Sequence, residues 1–338
     1  MKARDILYFP ISLVYGTVVF TRNKWYDWGW LSAKAFDTPT LAIGNLRTGG
    51  SGKTPHTEYV VSLLKDRYKL AVLSRGYGRK TKGFRLAAEV DNAETIGDEP
   101  FQIYQKFPEI TVAVDACRAR GMQTLERAIK PEVVVLDDAF QHRGLQPGLT
   151  LLLTPFSQPY TSDFLLPMGD LREWRTGAKR AHCIVITKSP KDLTPEEQRD
   201  YLKQIKPEKN QSVYFSTIAY ADTVLGKQRR TLISLPRSIL VVTGIANPKP
   251  LLQHLDEKGF HYEHLAFTDH HNFTRREIEK MKLYASETPI LTTEKDYMRL
   301  RGKIENLYYL PIAIQILDAA EQFDQMLVDY VRGRQKHR

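Results

Sequence analysis

Residues 39–54 read PTLAIGNLRTGGSGKT, an apolar run followed by a glycine-rich turn and a Lys-Thr pair that opens a helical pattern. This order predicts a phosphate-binding loop, in which a buried strand leads into the turn and a helix follows it. Glycines let backbone N–H groups turn inward around phosphate oxygens, and the helix N-terminus adds partial positive charge. The stretch therefore predicts an α/β fold of the P-loop NTPase type.

The side chains of this loop suit ATP and Mg²⁺. Lys53 can reach the β- and γ-phosphates, and the Thr54 hydroxyl can bind the metal. Arg47 stands where the strict pattern G-x-x-x-x-G-K-[ST] has its first glycine, while the core GGSGKT is intact. A glycine-rich turn without a ligand is the alternative. The residues expected to bind the nucleotide are Gly49, Gly50, Ser51, Gly52, Lys53 and Thr54.

Residues 132–138, EVVVLDD, form a second motif. An apolar strand that ends in carboxylates is the Walker-B arrangement, which holds Mg²⁺ beside the phosphates. Neighbouring side chains of a strand point in opposite directions. If the strand continues, at most one of Asp137 and Asp138 is therefore expected to reach the metal.

Two charged turns lie between these motifs. The sequence GDEP at 97–100 places Asp98 and Glu99 at or before a helix start, since proline favours the first helical positions. Asp98 is then either part of a site or only an N-cap. The sequence SRGYGR at 74–79 either offers cations to an anionic substrate or forms a solvated basic turn.

The C-terminal half carries two more polar clusters. Residues 269–271, DHH, suit a metal site, an acid–base pair or a helix-capping turn. Zinc is not expected, because no cysteine or further carboxylate is patterned nearby. Residues 293–296, TEKD, suit a nucleotide contact or a helix cap, and their spacing does not separate the two.

Composition limits the partners. The chain has 338 residues, a formal net charge of +10 and two cysteines, which are too few for a disulfide framework or a four-cysteine zinc site. A basic balance favours anionic partners. No zinc-finger, helix-turn-helix or aromatic RNA-binding motif occurs, so we expect no nucleic-acid partner. No obligate protein partner is expected either.

The N-terminus predicts contact with a membrane. An uncharged run at 6–21, ILYFPISLVYGTVVFT, is followed by basic residues and tryptophans. The run is shorter than the ~20 residues that span a bilayer as a helix. Tryptophans beside cations favour the lipid headgroup region. We therefore expect an interfacial, monotopic helix, with a buried N-terminal helix as the alternative.

Alternating β-branched runs and helical stretches predict two lobes of the Rossmann-like α/β/α class after the N-terminal membrane-associated helix. The expected division is an arm at 1–36, a P-loop core at 37–220, a connector at 221–237 and a C-terminal lobe at 238–338. The polar segment 155–179 is long enough to predict a functional loop.

Taken together, eight motifs resemble the tetraacyldisaccharide 4′-kinases of lipid A synthesis. They follow the family's order across most of the chain, and the combination is specific. The one departure is Ala139, where the family has glycine. The matching stretches are GNLRTGGSGKTP (44–55), LSRGYGR (73–79), GDEP (97–100), DDAFQHR (137–143), GDLRE (169–173), TGIANP (243–248), FTDHHNFT (267–274) and TEKD (293–296).

The resemblance implies transfer of the ATP γ-phosphate to the 4′-hydroxyl of a tetraacylated disaccharide 1-phosphate, at the cytoplasmic face of the bacterial inner membrane. It implies Asp98 as the base, His270 as the residue that orients it, and Lys53 at the ATP phosphates. A metal site of Thr54, Glu99, Asp137 and Asp138 and substrate contacts from Arg75, Arg118, Arg172 and Glu173 are also implied.

A different class of protein remains as an alternative. The core GGSGKT is similar to the loops of nucleotide switches and metallochaperone-like NTPases. Those loops usually carry a lysine just before the glycine pair, where this chain has Thr48. A switch hydrolyses ATP slowly without a lipid acceptor, whereas a kinase requires the acceptor for turnover.

Overall fold

The structure is a computed structural model that describes residues 3–269 and 271–335. Its strands, in chain order, are β1 (Thr40–Asn45), β2 (Leu70–Ser74), β3 (Arg85–Leu86), β4 (Thr111–Val114), β5 (Val133–Asp137), β6 (Leu149–Pro155), β7 (Cys183–Thr187), β8 (Ser212–Tyr220), β9 (Thr223–Val224), β10 (Arg230–Thr231), β11 (Ser238–Thr243), β12 (His261–Ala266), β13 (Ile290–Thr292), β14 (Leu307–Tyr309) and β15 (Ile312–Ile316).

The α-helices cover both faces of the sheets. They are α1 (Ala3–Asp27), α2 (Lys53–Leu64), α3 (Ala93–Ile96), α4 (Asp98–Lys106), α5 (Arg118–Ala128), α6 (Pro195–Ile205), α7 (Lys249–Glu257), α8 (Arg275–Ala285), α9 (Glu294–Leu300) and α10 (Ala320–Gln335). Three short 3₁₀ helices lie at Tyr160–Ser162, Arg175–Arg180 and Leu232–Ser234.

The large lobe contains a nine-stranded sheet in the order β15-β8-β7-β6-β1-β5-β2-β4-β3. Its seven inner strands are parallel, and the two edge strands, β3 and β15, are antiparallel. Both faces are covered, so central strands such as β1 and β5 are buried along their whole length. This explains why they read as continuous apolar runs.

The small lobe contains a parallel sheet in the order β12-β11-β13-β14. Helix α7 packs on one face through Leu251 and Leu255, and helices α8 and α9 pack on the other through Met281 and Leu300. Two three-layer α/β/α lobes result, which confirms the predicted fold class.

The chain returns to the large lobe at its C-terminal end. We predicted that residues 238–338 form one lobe, but β15 pairs with β8 of the large sheet and α10 packs against α2. The small lobe is therefore inserted between β8 and β15. A local pattern of apolar residues predicts a strand without showing which sheet the strand joins.

The connector predicted at 221–237 is also different from an open linker. Val224, Leu232 and Leu235 are buried in the core of the small lobe, and β9 pairs with β10. This segment therefore packs as part of the small lobe.

Helix α1 lies along the outside of the large lobe and is longer than the predicted apolar run. Its apolar side chains are largely exposed, including Phe9, Ile11, Leu13, Val14, Val18 and Phe20. Among the helices of the described residues, none has the length and apolarity needed to cross a bilayer.

Candidate active site

The glycine-rich loop joins β1 to α2 at the carboxyl end of the large sheet. Gly49 and Gly52 have φ values of 90° and 87°, which side chains rarely tolerate. Asn45 Nδ2 donates to Ser51 Oγ over 2.7 Å, and Lys188 Nζ donates to the Gly50 carbonyl over 2.6 Å. The loop is therefore held from both sides, by the end of β1 and by the end of β7.

The two acidic residues lie beside this loop because β5 is the parallel neighbour of β1. Ile43 pairs in register with Asp137. Lys53 Nζ, at the start of α2, lies 3.7 Å from Asp138 Oδ1. The lysine of the first motif and the carboxylates of the second thus lie side by side at the same edge of the sheet.

Asp137 and Asp138 are held differently. Asp137 is fully buried and accepts hydrogen bonds from Thr57 Oγ1 at 3.3 Å and Ser74 Oγ at 3.0 Å. Its burial, together with the neighbouring Asp138 charge, raises the pKa of Asp137 above the ordinary value. This aspartate is therefore a firmly placed part of the core at the end of β5.

Asp138 is partly open to solvent and has a φ of 44°. Burial acts to raise its pKa, but Lys53 and Arg172 outweigh burial and hold the pKa of Asp138 below the ordinary value. Arg172 Nη1 donates to Asp138 Oδ1 at 3.1 Å and to Oδ2 at 3.2 Å. The left-handed turn at Asp138 ends the strand pattern directly after Asp137.

The donor set fits Mg²⁺ only together with a phosphate ligand. Within 3–269 and 271–335, no group of three His, Cys, Asp or Glu side chains is placed to hold a metal ion. Mg²⁺ is usually held by one or two carboxylates with substrate phosphates and water. Asp138, with Thr54 at the start of α2, offers such a partial set beside a loop built for phosphates.

Asp98 begins α4 and faces the small lobe. Arg299 Nε, on α9, donates to Asp98 Oδ1 over 3.0 Å, and Arg299 Nη2 donates to Asp98 Oδ2. The Nη1 atom of the same arginine donates to the His271 carbonyl over 2.6 Å. Glu99 follows in the first turn of α4. His270 lies outside the described residues, but its neighbour His271 is tied to the arginine that holds Asp98.

Comparisons with known proteins identify the family of this chain. The family model of LpxK, the tetraacyldisaccharide-1-P 4′-kinase, matches residues 4–332. A tetraacyldisaccharide 4′-kinase of Flavobacterium johnsoniae is 44% identical over 97% of both chains. One of Phocaeicola vulgatus is also 44% identical, over 97% of this chain and 96% of the relative. This chain belongs to the tetraacyldisaccharide 4′-kinase family.

The fold agrees as well. The crystal structure of LpxK from Aquifex aeolicus in complex with ATP superposes with a TM-score of 0.78 at 28% identity. The match covers 97% of this chain and 99% of the Aquifex chain. The family predicted from the eight motifs is therefore confirmed, together with its kinase activity class.

Within this member of the family, the four residues predicted to contact substrate have different surroundings. Arg75 is exposed at the end of β2, where it is open to a ligand. Arg172 is partly exposed and bound to Asp138, next to the phosphate loop. These two cations remain candidates for an anionic substrate.

Arg118 and Glu173 do not fit the same prediction. Arg118 is 2% exposed and donates to the Asp115 and Asp137 carbonyls, and burial lowers the pKa of Arg118 to about 10. Glu173 is 1% exposed and is held by Arg180 at 2.8 Å, with further hydrogen bonds from Asn23 and Gln141. In this conformation both side chains stabilise the fold through buried hydrogen bonds and are not open to a ligand. The sequence did not show this, because burial of a charged side chain depends on distant partners.

Three residues of the site were not singled out from the sequence. Arg299 and Lys188 are ordinary surface types in their local patterns and become important only through distant partners. His142 lies near Arg118 and Asp138, and burial lowers the pKa of His142 to about 4. The sequence could have pointed to His142, since this residue belongs to the DDAFQHR motif.

Proposed function

We propose that this chain transfers the γ-phosphoryl group of ATP to the 4′-hydroxyl of a tetraacylated glucosamine disaccharide 1-phosphate. The observation that carries the proposal is the 3.7 Å approach of Lys53 Nζ to Asp138 Oδ1. It supports the proposal because phosphoryl transfer requires a cation for the phosphates beside a carboxylate for the metal. The substrate is the one named for the relatives described above.

Different residues of the site would bind the phosphates of ATP and the metal ion. Backbone N–H groups from Gly49 to Thr54 would surround the phosphates, and Lys53 would contact the β- and γ-phosphates. Thr54, Glu99, Asp137 and Asp138 would hold Mg²⁺ together with the phosphates. Asp138 and Thr54 are the better placed, since Asp137 is hydrogen-bonded inside the core. When bound, Mg²⁺ neutralises charge on the transferred group.

The acceptor must lose a proton as it attacks. Asp98 is the proposed base: it takes the proton of the 4′-hydroxyl while the new oxygen–phosphorus bond forms and the bond from γ-phosphorus to the β–γ bridging oxygen breaks. His270 would orient Asp98 from the small lobe. The hydrogen bond from Arg299 to the His271 carbonyl supports this, because it ties the small-lobe segment next to His270 to the residue that holds Asp98.

Helix α1 indicates where the protein would contact the membrane that holds its lipid acceptor. Its exposed apolar side chains, the exposed tryptophans Trp25, Trp28 and Trp30, and the net charge of +10 suit an anionic membrane surface. We propose that the protein docks peripherally on the cytoplasmic face of the bacterial inner membrane. Docking would bring the site to an acceptor whose acyl chains keep it in the lipid layer.

The reaction is tested by transfer of ³²P from γ-labelled ATP to the tetraacyldisaccharide 1-phosphate in detergent micelles. We expect labelled lipid with the wild type, none with Lys53→Ala, and an unchanged yield with Lys203→Ala, a control on exposed α6. Asp98→Asn should bind ATP and lose turnover. Wild-type protein that binds ATP without labelling the lipid would refute the proposal.

The membrane contact is tested by sedimentation with vesicles containing anionic phospholipid. Val14→Ser with Val18→Ser removes two exposed apolar side chains of α1 and should reduce the bound fraction. Leu283→Ser is the control, because Leu283 is 75% exposed on α8 of the small lobe. Equal loss of binding in both variants would argue against docking through α1.

A further inference from the structure

The glycine-rich loop is fixed to a second loop, residues 156–182, which we call the β6–β7 loop. Thr48 N donates to the Asp170 carbonyl over 2.8 Å, and Arg172 N donates to the Leu46 carbonyl over 2.7 Å. These two bonds flank a short antiparallel bridge between Arg47 and Leu171. The first half of the phosphate loop, residues 46–48, is therefore paired with the β6–β7 loop.

The side chain of Arg47 reinforces this pairing. It is 8% exposed, and two of its nitrogens donate hydrogen bonds to the β6–β7 loop while the third lies within ion-pair distance of the loop. Nη2 donates to Asp170 Oδ2 at 2.6 Å, Nη1 donates to the Gln158 carbonyl at 2.8 Å, and Nε lies 3.3 Å from Asp163 Oδ2. The planar guanidinium fixes the angle as well as the distance between the loops, which a lysine does less well.

Position 47 is where a strict phosphate loop has glycine. Arg47 has a negative φ, so its backbone does not need the freedom of glycine. The departure from the strict pattern thus adds a side-chain anchor without requiring a left-handed backbone at position 47. The glycines that follow, Gly49 and Gly52, remain free to form the turn around phosphates.

The β6–β7 loop is held on its other side by helix α1. Ser12 Oγ donates to the Leu165 carbonyl at 3.2 Å and accepts from Met168 N at 3.0 Å. Trp174 Nε1 donates to the Gly16 carbonyl at 2.9 Å. A Cβ atom on Gly16 would lie 2.5 Å from Leu165 Cδ1, so the helix and the loop are closely packed.

Arg172 of the β6–β7 loop contacts helix α1, the phosphate loop and Asp138. The Arg172 carbonyl accepts from Tyr15 OH on α1 at 2.8 Å. Its N–H bonds the Leu46 carbonyl at the phosphate loop, and its guanidinium binds Asp138. A shift of α1 that moves Arg172 therefore acts on the phosphate loop and on Asp138 together.

We propose that Arg47 is a positioning residue that ties the phosphate loop to the β6–β7 loop, so that the seating of helix α1 sets the affinity of the loop for the triphosphate of ATP. The proposal rests on the ATP site described above. Since α1 is also the surface proposed to meet the membrane, lipid contact and nucleotide affinity are linked in this chain.

The test is binding of a fluorescent ATP analogue, with Mg²⁺, to the full chain in detergent. We expect Arg47→Met to weaken binding about tenfold, within the range usual for coupled sites, and Arg47→Lys to restore part of the loss. Asp170→Asn should act in the same direction, and it is suited to retain the fold because Asp170 is 53% exposed. Lys179→Ala, another cation of the β6–β7 loop that pairs with Glu208 on the surface, is the control and should bind normally.

The link to α1 is tested by a double-mutant cycle. Tyr15→Phe removes only the hydroxyl that holds Arg172 and should weaken binding in the wild type. In the Arg47→Met background it should weaken binding much less, because the phosphate loop is then no longer held to the β6–β7 loop by the Arg47 guanidinium and follows a shift of Arg172 less closely. Additive losses, or losses of thermal stability without change in nucleotide affinity, would overturn the proposal.

The variant Lys53→Ala distinguishes a failure of the proposed ATP site from a failure of the positioning role of Arg47. If Lys53→Ala binds the analogue as tightly as the wild type, the proposed ATP site itself is wrong. If Lys53→Ala abolishes binding while Arg47→Met and Asp170→Asn bind like the wild type, only the positioning role of Arg47 fails.

Discussion

Arg299 of the small lobe holds the carboxylate of Asp98 on the large lobe through two parallel hydrogen bonds. Such a fork fixes the orientation of a carboxylate as well as its distance. Because Asp98 is the proposed base, the small lobe takes part in shaping the reaction site. The same arginine also donates to the His271 carbonyl, so it joins Asp98 to the segment at His271.

Removing this arginine should affect turnover more than ATP binding. We expect Arg299→Met to lower kcat at least tenfold with little change in the KM for ATP, because misplacement of a catalytic group by about 1 Å can cost a hundredfold. Steady-state kinetics with the lipid acceptor gives both constants. Arg301→Met is the control, since Arg301 is exposed and binds Gln105 and Met298 rather than Asp98. Equal effects of the two substitutions would contradict a special role for Arg299.

Gly97 should resist substitution by any residue with a Cβ atom. It has a φ of 96°, and a Cβ there would lie 3.0 Å from the Tyr77 carbonyl oxygen and 3.1 Å from Gly76. Strain of this kind costs of the order of 1–3 kcal/mol. We expect Gly97→Ala to lower the free energy of unfolding by that amount and to reduce kcat, because Gly97 directly precedes Asp98. Gly78→Ala is the comparison, since φ at Gly78 is also positive but no atom lies within 4 Å of its Cβ position. A Gly97→Ala protein with wild-type kcat would show that this turn does not position Asp98.

A buried ion cluster joins the phosphate-loop helix to the small lobe. Lys106 Nζ lies 2.7 Å from Glu58 Oε2 on α2 and 3.1 Å from Glu294 Oε2 on α9. Both carboxylates are almost fully buried, and burial raises the pKa of Glu58 to about 7. The cluster therefore depends on one lysine for its balance of charge.

Lys106→Met should destabilise the fold by about 3–5 kcal/mol at pH 8, because it leaves two buried carboxylates without a cation. The folded pKa of Glu58 lies above its unfolded value, so its ionisation opposes folding as pH rises through 7. The loss should therefore be smaller at pH 5, where Glu58 takes up a proton. Urea unfolding at both pH values measures this, with surface Lys65→Met as a control expected to change little. A loss that is equal at pH 5 and pH 8 would contradict the charge explanation.

His56, on the first turn of α2, predicts a second pH dependence. Its ring contacts the Gly52 carbonyl and Ser216 Oγ, and burial lowers the pKa of His56 to about 4. Between pH 6.5 and 4 the unfolded chain is protonated here and the folded chain is not, so acid favours unfolding. Between pH 7 and pH 5 this difference in protonation lowers the free energy of unfolding of the wild type by about 2 kcal/mol.

The variant His56→Gln removes this titration. The fall in the free energy of unfolding between pH 7 and pH 5 should shrink by about 2 kcal/mol relative to the wild type. The other histidines are the same in both proteins and cancel in the comparison. If both proteins lose the same stability between the two pH values, His56 is not the group responsible.

The sequence predicted the parts of the site that are local in the chain. The strand, turn and helix around Lys53 follow each other directly, so apolar runs and glycines are enough to place them. The pairing of Asp138 with Lys53 was also predictable, because parallel neighbours bring the ends of two such strands to one edge. What could not be predicted is contact between residues far apart in sequence. Arg299 is 201 residues from Asp98, and Arg47 pairs with Asp163 and Asp170 of a loop without a periodic pattern.

The same limit explains the wrong extent of the C-terminal lobe. Strand β15 and helix α10 have ordinary strand and helix patterns, and their partners in the large lobe lie far upstream. The buried charges Arg118 and Glu173 were misjudged for a related reason. A charged residue is expected on the surface unless its partners are known.

The late return of the chain to the large sheet has a consequence for synthesis. A ribosome delivers the polypeptide from its N-terminus, so residues 312–335 emerge after β8 and α2. Until then β8 has an open edge, and Val60, Val61 and Leu64 of α2 lack Phe323, Leu327 and Val331, which complete their core. The helix that begins at the phosphate loop therefore lacks part of its core until α10 has been made.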